Sequence, residues 1–112
     1  MKLALAAMLV AAMLPLAAAA ETWTNAPLID ENCHAKFTLA TVDTHTRSCA
    51  LACARSGYGI LTADGTYLKF DSAGNQMALA ELKASTKKDH IRATVTGDRE
   101  SGLIKVKSVK LD

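Results

Sequence analysis

Asp64-Gly65 sits between two runs with strand character, and this junction constrains the chain more than any other short stretch. Tyr58, Ile60 and Thr62 alternate with Gly59 and Leu61 before it, and Leu68 and Phe70 keep one phase after it. Asp-Gly suits a tight turn whose central residues take positive φ, so residues 58–70 are predicted to form a β-hairpin and no helix can run through them.

The flanking segments supply three more strands and a helix. Residues 21–31 carry Trp23, Leu28 and Ile29 around Pro27, which reads as a first strand kept near a sheet edge by its proline. Asp71 to Asn75 is a turn and cap cluster. The run that follows places Ala78, Leu79 and Leu82 on one helical face, with Lys83, Lys87 and Lys88 favouring the helix C-terminus. Ile91, Ala93 and Val95 alternate with Arg92, Thr94 and Thr96, the pattern of a strand with one buried face. Residues 97–102 turn the chain back. In the last strand Ile104 and Val106 share one phase and Val109 and Leu111 the other, which requires an extra residue, a β-bulge, near Ser108. Leu68, Phe70, Ile91 and Val95 should be buried, and Lys69, Arg92 and Lys105 should face water.

The other helical stretch is residues 44–57, Thr-His-Thr-Arg-Ser-Cys-Ala-Leu-Ala-Cys-Ala-Arg-Ser-Gly. Thr44 or Thr46 can cap it, Arg55 suits the negative end of its dipole, and Gly57 provides a left-handed stop. Read as one helix, it stacks His45, Cys49 and Cys53 on a single face, with Cys33 and His34 in a loop upstream.

The N-terminus has Lys2, an apolar run to Pro15, and small residues through Ala20, which match a secretory signal peptide with cleavage after Ala20. Removing those 20 residues from 112 leaves 92, enough for one domain and one modest core. The expected location is therefore periplasmic or secreted, with no transmembrane segment once the leader is gone. The order strand, cysteine helix, hairpin, helix, hairpin is that of an OB-fold. The expected fold is mainly β: a five-strand OB-like barrel with two short helices, spanning residues 21–112, and a cysteine-containing helical insertion at 32–57 between its first two strands.

Asp-Glu-Asn-Cys-His at 30–34, His-x3-Cys-x3-Cys-Ala from His45, Ser-Gly-Tyr-Gly at 56–59, Asp-Gly-x-Tyr-x-Lys-Phe from Asp64 and Val-x-Gly at 95–97 together resemble small exported bacterial OB-like domains of unknown function. The resemblance spans most of residues 24–111. It implies the fold and carries no activity or site residue with it.

Three cysteines in an exported chain point to an oxidising compartment, and the odd number leaves one over. Two uses are open. Cys33 can form a disulfide with Cys49 or Cys53, pinning the loop to the helix and leaving the third thiol buried, and the compartment favours this use. Cys49 and Cys53 are poor partners for each other, since a helix aims their side chains alongside one another. Alternatively Cys33, Cys49 and Cys53, with His45 or His34, offer the soft ligands that zinc or copper prefers, although C-x3-C lies one residue outside the common zinc knuckle. A redox C-x-x-C is absent.

Other functional classes find less in the sequence. His90 follows Asp89, which could orient it as a base, but no nucleophile stands in an evident turn; it reads as a surface histidine. Tyr58, Tyr67 and Phe70 fall where OB-folds stack single-stranded nucleic acid, yet without Lys2 the formal charge drops from +2 to +1 and no basic groove results. Lys105, Lys107 and Lys110 read as protection for a strand edge. No nucleophile elbow, glycine-rich phosphate loop or cofactor fingerprint is present, so an enzyme is not expected. The expected function is a non-enzymatic binding or structural module stapled through its cysteines, with a small ligand or an envelope protein as partner. The alternative is a metal-binding or thiol-redox-responsive protein using the same cysteines with His34 or His45.

Overall fold

The computed structural model describes residues 20–112, so all but the last residue of the expected leader lies outside the described residues. The five strands are β1 (Glu21–Asp30), β2 (Tyr58–Leu61), β3 (Tyr67–Phe70), β4 (Arg92–Glu100) and β5 (Leu103–Leu111), and they close into a barrel in the order β1-β2-β3-β5-β4. All pairings are antiparallel except β3 with β5. This mainly β arrangement is compatible with an OB-like fold. Three α-helices accompany it: α1 (Glu31–His34), α2 (Arg47–Ala52) and α3 (Ser72–Ala84). The single-turn α1 is one more than the sequence patterns suggested. Among the described residues no helix is long and apolar enough to cross a membrane.

β1 belongs to both sides of the barrel. Glu21 to Pro27 run along β4, and Leu28 to Asp30 pair with β2. Pro27, expected near an edge, stands at the last rung of the β4 ladder, where the strand changes partner and a missing N–H is least costly.

The hairpin forms as expected, with a different turn. Gly65 N–H bonds the Thr62 carbonyl at 2.9 Å, the closing pair is Thr62 with Thr66, and only Gly65 takes positive φ, at 84°. This is a type I turn followed by a left-handed glycine, so Asp64 needs no unusual φ; its carboxylate accepts from the Thr62 hydroxyl and the Thr66 N–H.

The bulge in β5 is present. Thr96 faces Ser108 but Gly97 faces Val106, so Lys107 is the extra residue. Ile104 and Val106 before it and Val109 after it can therefore all point inward. Gly97 is required opposite the bulge, because a Cβ there would lie 2.4 Å from the Lys105 carbonyl.

Leu28, Tyr58, Ile60, Leu68, Phe70, Ile91, Ala93, Val95 and Ile104 fill the barrel, and Ala78 and Leu82 of α3 close one opening. Asp71 caps α3 by accepting from Gly74 N–H at 3.0 Å. Lys69 and Lys105 are exposed as expected; Arg92 is half-buried because it grips Asp43 with two hydrogen bonds, 3.1 and 2.9 Å long.

The stretch expected as one cysteine helix is three pieces. A 3-10 turn (Val42–Thr44) precedes α2, and another (Ala54–Ser56) follows it. Thr46 is the N-cap, its hydroxyl accepting from Cys49 N–H at 3.1 Å, so His45 lies outside the helix and the three-residue face does not form. Gly57 does end the segment, at φ 83°. Arg47 fixes α2 to the barrel by donating to the Leu82 and Lys83 carbonyls at the C-terminus of α3, at 2.6 and 3.2 Å.

Candidate metal centre

Asp30 is the centre of the site, and sequence reasoning did not nominate it. It ends β1, is fully buried, and pairs in register with Tyr58. One carboxylate oxygen caps α1, accepting from Cys33 N–H at 3.0 Å. The other lies 2.8 Å from His45 Nε2. His45 is itself buried, and its approach is off the line of a good hydrogen bond; its Nδ1 has no partner among the described residues. The Phe37 ring meets the imidazole edge-on, with centroids 5.2 Å apart.

The cap that orders α1 also sets Cys33 against Asp30. Cys53 is the C-cap of α2, its N–H returning to the Cys49 carbonyl. A carboxylate oxygen of Asp30 and the sulfurs of Cys33 and Cys53 all lie within 4.8 Å of one another. Both cysteines are half-buried, and all three cysteines are free thiols. The Asn32 side-chain amide lies 3.6 Å from Cys53 Sγ as a donor. Burial first, then the hydrogen bond to Asp30 and its negative charge, push the Cys33 thiol up to about 11. A thiol in that setting holds its proton until a cation replaces it.

The remaining candidates are placed elsewhere. Cys49 is exposed on α2. His34 stacks flat on Tyr67, centroids 3.9 Å apart and planes 8° from parallel, which ties α1 to β3. Tyr67 in turn lies over Gly59, where a Cβ would come within 2.6 Å of the ring. Burial and the nearby Glu31 and Asp30 carboxylates raise the Tyr67 phenol above its ordinary range. Tyr58 is core: it is fully buried and donates to the Ala50 carbonyl at 2.8 Å. His90 and Asp89 form a 2.7 Å pair on the surface.

Chemically, one carboxylate and two thiols at this spacing form an S2O donor set suited to a borderline or soft cation. Asp-x-x-Cys at 30–33 is the sequence signal that could have found it, since a cap residue and the third helical residue after it are brought together whenever the cap forms. Comparison with known proteins places the chain in no group: no family model, curated protein or solved structure matches it.

Proposed function

We propose that the chain is an exported, non-enzymatic OB-like module whose working part binds a metal ion, Zn(II) or Cu(I), through Asp30, Cys33 and Cys53. The observation that carries this reading is the convergence of three donor atoms within 4.8 Å, one of them on a fully buried carboxylate. Tetrahedral zinc with Zn–S bonds of about 2.3 Å needs sulfurs about 3.8 Å apart, which small side-chain rotations reach from here. The carboxylate in the set favours Zn(II), because Cu(I) prefers sulfur alone. The leader-like residues before the domain support export.

The test is anaerobic titration of the reduced chain from Glu21 onward with Zn(II), and separately with Cu(I), against a chromophoric chelator, with the complex weighed by native mass spectrometry. One equivalent should bind, Cys33→Ser, Cys53→Ser and Asp30→Asn should each weaken binding at least tenfold, and Cys49→Ser should bind as the parent does. Absence of stoichiometric binding, or equal loss in Cys49→Ser, overturns the reading. A second reading, a Cys33–Cys53 disulfide that staples α1 to the end of α2, is supported by the same sulfur proximity and would stabilise the domain by about 2–4 kcal/mol.

A further inference from the structure

We infer that Cys33 and Cys53 are a redox gate on the metal site: they form a disulfide with each other, and that disulfide and the bound metal exclude one another. The inference rests on the metal-binding reading. Three observations carry it. The two sulfurs lie within 4.8 Å, a gap that rotation of two half-buried side chains can close to the bond length of about 2.05 Å. The same two sulfurs are two of the three donors in the set, so the bond leaves Asp30 as sole ligand, too little to retain a cation. The third thiol, Cys49, is exposed on α2 and outside the donor set, so the reaction has a single intramolecular partner to choose.

The site is also open to an oxidant of the right class. Cys33 and Cys53 are partly exposed while Asp30 and His45 are buried, so the two cysteines are the part of the site that faces solvent. In the exchange, a zinc-bound thiolate of one cysteine attacks a sulfur of oxidised glutathione, forming a mixed disulfide and releasing one glutathione thiolate. The thiolate of the second cysteine then attacks the protein sulfur of that mixed disulfide, forming the Cys33–Cys53 bond and releasing the second glutathione thiolate. Two protein thiolates are oxidised by two electrons, one glutathione disulfide is reduced, and Zn(II) leaves unchanged in oxidation state.

The experiment loads the reduced Cys49→Ser chain and its parent with one equivalent of Zn(II), then adds excess oxidised glutathione while a chromophoric chelator reports free zinc. Zinc release in step with a loss of two mass units, and a Cys33–Cys53 linkage in the peptide map of both proteins, is the expected result. Reduction should restore one equivalent of binding. If zinc binds but stays bound through oxidation, or the linkage maps to Cys49 in the parent, the gate is overturned while the metal site stands. If the reduced chain takes no zinc at all, the metal site fails and the gate with it.

Discussion

Asp30 Oδ1 and His45 Nε2 are 2.8 Å apart, and both side chains are closed off from solvent. The pair joins the end of β1 to the turn that precedes α2, two segments that meet only because the long connection between β1 and β2 folds back over the barrel. Removing the imidazole leaves a buried carboxylate with the Cys33 N–H as its backbone partner and a cavity beside Phe37. His45→Ala should therefore destabilise the metal-free domain by about 2–4 kcal/mol in urea unfolding, chiefly through the cavity, against less than about 0.5 kcal/mol for exposed His90→Ala. Comparable effects from the two would show that the buried pair does not hold this segment.

Gly59 tests how α1 is seated. A Cβ at this position would lie 2.3 Å from the Leu68 carbonyl and 2.6 Å from the Tyr67 ring, both of which belong to the neighbouring strand. Gly59→Ala should cost about 1–3 kcal/mol of stability and should push Tyr67 away from His34. The ring-current shifts of the stacked pair in NMR would report that displacement; unchanged shifts would rule it out.

The thiols should separate by reactivity in the metal-free protein. Burial and Asp30 hold Cys33 up at about 11, while Cys49 stands exposed on α2. At pH 8 a maleimide or iodoacetamide should label Cys49 first and Cys33 slowest, and the Cys33 rate should keep rising with pH to about 11. Mass mapping of partial digests checks the order.

Arg92 and Asp43 supply an acid dependence. The Arg92 guanidinium, through its hydrogen bonds and then its charge, holds the Asp43 carboxyl below its ordinary value of 3.8, against an opposing push from burial. A depressed folded-state value means that the stabilisation is complete above the unfolded value and is lost as pH falls through the folded one. Asp43→Asn should thus cost about 1–2 kcal/mol at pH 7, a figure reduced for the partial exposure of both side chains, and the gap between parent and variant should narrow as pH falls through and below 3.8. A gap that stays the same size across the acid range would assign the effect to packing.

The barrel was legible because its signals are local. Asp64-Gly65 marks the hairpin, and the phase change between Val106 and Val109 marks the bulge, each readable within a few residues. The cysteine region was less so. Helical periodicity put His45 with Cys49 and Cys53, but Thr46 takes the N-cap and His45 turns inward to a carboxylate 15 positions earlier in the chain, a long-range preference that no window of sequence contains. Asp30 was hidden for the opposite reason. At the end of an apolar strand it reads as a polar boundary, whereas the barrel buries it and makes it the residue on which Cys33 and His45 both converge.

The parallel contact between β3 and β5 is only two registered pairs long, Lys69 with Leu103 and Phe70 with Ile104, and it joins strands separated by α3 and all of β4. The β1–β4 ladder spans a longer stretch of chain, Glu21 to Gly97, but five registered pairs secure it, whereas this one closes its loop with two. It is the seam of the cylinder, its shortest ladder, and the place where amide protons of Lys69 and Asp71, bonded across it to the Gly102 and Ile104 carbonyls, should exchange with solvent ahead of those in the β4–β5 ladder.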